Sequence, residues 1–238
     1  MIVGEIVSTF SDMMTWLFLI GVPLLVGLWA QMRVSSAFGH WKQIAASSGV
    51  SGAQAAREIL AAANIRDVDV VEINDMLGDH YDPTNKRLCL STDVYNTPSV
   101  AALGIAAHEC GHAIQDQKGY APLKLRMAIV PATQFASSLL PFIFLGGLFF
   151  GVMKLALLAV GVYLVLTLFQ LITLPVEFDA SRRAKIILQQ MGIIRPGEEA
   201  AGVNKVLDAA ALTYVAAFVA SLGTLVYFLL MVLGNRER

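Results

Sequence analysis

Charge is scarce in this chain. Only 15% of its 238 residues are Asp, Glu, Lys or Arg, against about a quarter in soluble domains, which argues against an ordinary soluble fold. Basic excess is absent too: a net charge of −1 leaves no positive stripe for nucleic acid. Cysteine is limited to Cys89 and Cys110, with no CxxC spacing. That excludes a disulfide framework and leaves two free buried thiols in a reducing compartment. Lys and Arg are missing before Asp12, so the N-terminus lacks the positive region of a cleaved signal peptide and reads as a retained anchor.

Apolar residues take the place of charge, at 56% of the chain with a mean hydropathy of +0.64. Four stretches, about 15–32, 134–153, 155–174 and 212–233, each approach the ~20 residues that cross ~30 Å of hydrocarbon. The second and third are separated mainly by Lys154 and form a tight hairpin. Pro23 and Pro141 fall inside spans, where packed helices tolerate them. The hydrophilic segments, about 33–128 and 175–211, carry nine and five Lys or Arg. Positive-inside bias places both in the cytoplasm, although Arg236 and Arg238 run against that placement. The chain, 1–238, thus reads as a single membrane-embedded domain, mainly α, with the lipid bilayer as a partner.

Within the longer hydrophilic segment, Ser51 to Ala63 reads as a helix capped by Ser51. Val68 to Ile73 and Arg87 to Leu90 have strand character, with turn residues Asp82-Pro83-Thr84-Asn85 between them. Thr97 as N-cap and Pro98 at the first helical position open a helix that runs to about Gln117 and stops at Gly119. Gly104 and Gly111, seven apart on one face of that helix, mark the close approach of another helix.

That helix contains His108-Glu109-Cys110-Gly111-His112. Histidines four apart project from one face toward a shared metal ion, and the carboxylate beside them can take a proton from a water the metal polarises. This is the working part of a zinc-dependent peptidase, with one zinc per chain and Glu109 as the base. With four His and eight Glu in the chain, a shuffled sequence would show the pattern roughly 0.2% of the time.

A catalytic zinc takes three protein ligands and keeps one open position. Gln115 and Lys118 occupy the places where a metzincin has Gly and His, and no Asp-Gly dipeptide exists to serve a site-2-type protease. A gluzincin takes a Glu from a second helix, and Glu177 fits. Two spans separate it from the histidines, so it emerges on their side of the membrane whichever way the chain is oriented. Glu198 and Glu199 pass the same test but follow a Pro-Gly turn and read as solvated charge. The fold expected is therefore four transmembrane helices plus a small α+β, gluzincin-like cytoplasmic domain carrying the motif helix.

The chain resembles the YugP-type zinc metallopeptidases of bacterial membranes. The matching stretches are 80–83, 90–91, 94–95, 99–102, 106–115, 175–184 and 211–214, so the likeness covers essentially the whole chain. More distantly it is similar to membrane gluzincins of the HtpX and CAAX-protease type. The resemblance implies a cytoplasm-facing zinc site on helices anchored in a bacterial cytoplasmic membrane. Those distant relatives place an Asp four residues after the ligand Glu to steady a zinc-bound histidine. Here that place is Ser181, and the Asp falls at 179, about 200° around the helix from Glu177. Ser181 is the better placed support, and Asp179 can pair with Arg182 or Arg183.

The activity expected is endoproteolysis of peptide or protein substrates. His80, Tyr81, Tyr95, Tyr120 and Tyr214 are candidate donors to the developing oxyanion. Arg87 to Leu90 is a candidate edge strand for substrate, against the plainer reading of a structural hairpin. Rival readings are a catalytically inactive zinc-binding scaffold or assembly factor, which need not keep Glu109, and a transporter, which would place ionisable groups inside the spans.

Overall fold

The computed structural model describes residues 12–75, 78–150 and 153–234. The retained-anchor reading of residues 1–11, the end of the second expected span at 151–152, and Arg236 and Arg238 lie outside them. In chain order the elements are α1 (Asp12–Trp41), α2 (Gly52–Ala62), β1 (Asp69–Ile73), β2 (His80–Asp82) and β3 (Arg87–Ser91). They continue as α3 (Thr92–Asn96), α4 (Val100–Gln117), α5 (Ala121–Phe150), α6 (Met153–Gln190) and α7 (Glu198–Gly234). The chain is mostly helical and divides into two compact units. One holds the described residues up to Ala30, Leu125–Thr173 and those from Thr213 on; the other holds Gln31–Lys124 and Leu174–Leu212.

The first unit carries the apolar lengths of α1, α5, α6 and α7, each helix long and apolar enough to cross a membrane. Their most apolar windows are only 11–17% buried. Phe135, Phe142, Phe144, Phe149 and Leu157 stand exposed, an arrangement that suits lipid and not water. Ala136 and Ile143 of α5 pack with Ala159 and Val162 of α6. Near its start α1 widens into a π-turn at Leu17–Gly21, just before Pro23. Pro23 has no N–H to offer the carbonyl of Leu19, so the helix must adjust there. α7 passes close to that carbonyl: a Cβ on Gly223 would lie 2.1 Å from it.

The second unit has a core built from α2, β3, α4 and α6, including Ile59, Leu88, Leu90, Leu103 and Leu188. Ser51 caps α2 as its sequence suggests, its hydroxyl accepting from the Gln54 N–H. The sheet differs from the expected hairpin. Its order is β1-β3-β2, with β1 parallel to β3 and β2 antiparallel to it. The turn residues Asp82 to Asn85 therefore join β2 to β3, and Arg87 to Leu90 lies in the central strand, not at an edge. A three-residue strand with one buried side chain has too little pattern to reveal itself, which is why β2 is hard to read from sequence.

The motif helix also starts later than expected. Ser99, not Thr97, is the N-cap of α4, accepting from the Ala102 N–H at 3.2 Å. Thr97 closes α3 instead, its hydroxyl donating to the Asp93 carbonyl. Extended pairing decides between them: Ala45 bridges Ser99, and the Pro98 carbonyl accepts from Ala46, which holds 98–99 out of the helix. At the other end α4 stops at Gln117 with Gly119 left-handed at φ +62.

Candidate metal centre

His108, Glu109 and His112 all lie on α4, and Glu177 lies on α6 two residues after Pro175. The ligand atoms of His108, His112 and Glu177 lie within 4.8 Å of one another. Glu177 is only 2% exposed, and one of its oxygens, Oε2, faces His108 Nε2 at 3.2 Å and His112 Nε2 at 3.6 Å. Two further residues of α4 and α6 make this possible. Gly111, between the histidines, meets Ala180 of α6 so closely that a Cβ there would lie 2.8 Å from the Ala180 carbonyl oxygen. Gly104 needs no such allowance, since its Cβ would meet only Val203 at 3.5 Å, an ordinary contact.

The far side of each imidazole is also held. His112 Nδ1 lies 3.0 Å from Gln115 Oε1, and His108 Nδ1 lies 3.1 Å from Ser181 Oγ. The Gln115 amide donates from Nε2 to the Val176 carbonyl at 2.8 Å and to Asp179 Oδ2 at 3.0 Å. Both acceptors fix the amide's orientation, so its oxygen must accept a proton from His112 Nδ1. His112 Nε2 then has a lone pair aimed at a carboxylate oxygen. Two imidazole nitrogens beside one carboxylate are the donor set zinc takes. The residues fit the metal.

Glu109 is buried, at 7% exposure. Burial pushes its carboxyl up from the usual range, and the charges of His108 and His112 offset this only in part. A carboxylate raised toward neutrality suits a proton acceptor.

The supporting candidates fall in different places. Ser181 reaches His108 directly. Asp179 pairs with Arg182 and Arg183, as its spacing suggests, and reaches His112 through Gln115, a long-range link that the residue order does not show. His80 Nδ1 lies 2.7 Å from the Gly78 carbonyl, and the Tyr81 hydroxyl donates to Asp116 at 2.8 Å. Tyr95 takes a hydrogen bond from Arg57, and the Tyr120 hydroxyl lies 3.5 Å from the Pro175 carbonyl. Tyr214 belongs to the other unit. Cys110 points away from the ligands, its thiol toward the Ala56 carbonyl at 3.6 Å. Glu199, read as solvated charge, is a local cap: it accepts from the Arg195 and Ser47 N–H groups.

Residues 15–233 match a family described as "Putative neutral zinc metallopeptidase". A Bacillus subtilis (strain 168) protein named "Putative membrane protease YugP" is 46% identical over 224 residues, 94% of this chain and 99% of that one. No solved structure gives a significant match. With four membrane-length helices and a cluster of zinc-type donors among the described residues, the chain belongs to this neutral zinc metallopeptidase family, as a membrane protein whose metal is zinc.

Proposed function

We propose that this chain is a membrane-bound zinc endopeptidase of the gluzincin type, acting as one domain over 1–238, with its site facing the cytoplasm of a bacterial inner membrane. One observation carries the reading: two histidine Nε2 atoms and a buried carboxylate from a second helix converge, with a buried glutamate beside them on α4. His108, His112 and Glu177 would hold the metal. When bound, zinc supplies Lewis acidity, which acidifies water and polarises a carbonyl. Glu109 accepts the proton of the attacking water and returns it to the leaving amine. The substrate, a membrane or membrane-proximal protein, is held as an extended strand along the outer edge of β2. That strand packs against α4, and Tyr81 ties the two through Asp116.

Glu177→Gln tests the ligand set. The variant should bind zinc at least about 10-fold more weakly than wild type in a chelator competition and lose cleavage of an unfolded protein in parallel. Wild-type zinc affinity in this variant would remove Glu177 from the site.

A further inference from the structure

Gln115 is a fully buried amide that touches both sides of the centre. It sits on α4 three residues after His112, and its Nε2 reaches across to the α6 backbone at Val176, the residue before Glu177. Its remaining partner, Asp179, is itself gripped by Arg182 and Arg183. Turning the amide over would set its oxygen against the Val176 carbonyl and the Asp179 carboxylate, and its N–H against the His112 Nδ1–H. The first two contacts would then pair acceptor with acceptor whichever tautomer His112 adopts, so the surroundings admit one orientation.

We propose that Gln115 is a positioning residue for the metal. It holds His112 in the Nδ1–H tautomer with Nε2 toward the ion, and it couples that histidine to the stretch of α6 that presents Glu177. Asp179 and its two arginines act one step further out, by keeping the Gln115 amide from flipping. The inference rests on the zinc-peptidase reading above. Behind His112 it puts a two-faced amide, which joins the two ligand-bearing helices as well as orienting a ring.

The test is zinc affinity, measured by chelator competition on detergent-purified protein for wild type, Gln115→Leu, Gln115→Glu and Gln115→Glu with Asp179→Asn. Gln115→Leu should weaken zinc about 10- to 100-fold. Gln115→Glu keeps an acceptor for His112 but sets two carboxylates together, and should also bind weakly. Adding Asp179→Asn supplies an amide donor to the new carboxylate, while the Val176 carbonyl still faces it, and should recover part of the loss, a non-additive rescue that general destabilisation would not give. Histidine-selective ¹⁵N spectra give a second readout, since the chain has only four histidines. The His112 Nδ1–H signal should be present in wild type and the rescued pair and lost in Gln115→Leu. Zinc affinity within about twofold of wild type in folded Gln115→Leu, or no rescue in the pair, would overturn the proposal and leave the peptidase reading intact. Wild type that binds no zinc would overturn both.

Discussion

His108 and His112 sit one turn apart on α4, but different neighbours hold them: Ser181 from α6 and Gln115 from α4 itself. Ser181→Ala should therefore loosen zinc by about tenfold, measured by chelator competition, with little effect on folding. Asp116 offers a separate test of pH dependence. Burial works against its ionisation, but hydrogen bonds from Lys86 and Tyr81 outweigh that and hold its carboxyl below the ordinary range. Its stabilising contribution is therefore present above the ordinary carboxylate range and lost as pH falls through the lower folded value. Asp116→Asn should melt at lower temperature than wild type at neutral pH, and the gap should close in acid. A gap that does not change with pH would contradict the assignment. The histidine spacing was legible because i and i+4 share a helix face whatever surrounds them. Gln115 was not, because its partners at Val176 and Asp179 lie 61 and 64 residues away.

Among the elements, the distance between α4 and α6 governs the centre. Gly111→Ala would drive a methyl into the Ala180 carbonyl and push Glu177 away from the histidines, at a cost of about 1–3 kcal/mol in folding. Zinc affinity should fall with it. Gly104→Ala on the same helix face meets only ordinary contacts, and should stabilise α4 by up to about 1 kcal/mol. Thermal melts and zinc titrations of the two variants would separate a spacing requirement from a loss of helix quality; equal behaviour would contradict it. The long helices were legible from their apolar runs. Their full extents were not, because α6 runs on past its apolar stretch, and α7 starts well before its own, in polar sequence. Sheet order was hidden for another reason: the parallel pairing of β1 with β3 is non-local, while sequence shows only the local turn that joins β2 to β3.

For the whole molecule, the proposed orientation puts the site on the cytoplasmic side of the membrane. Cys89 and Cys110 are both buried, so a cysteine placed at exposed Ser48 should be the main target of a membrane-impermeant thiol reagent. If the site faces the cytoplasm, Ser48→Cys should label in inverted vesicles and stay protected in intact cells with the outer membrane opened. The reverse pattern would invert the orientation.

The most direct test of the central claim compares purified wild type with Glu109→Gln in detergent, reading bound zinc and cleavage of an unfolded protein on the same samples. Both should hold equal zinc, about one per chain, while the variant cleaves at least about 100-fold more slowly. Equal cleavage by both would contradict the assignment of Glu109 and, with it, the proposed mechanism.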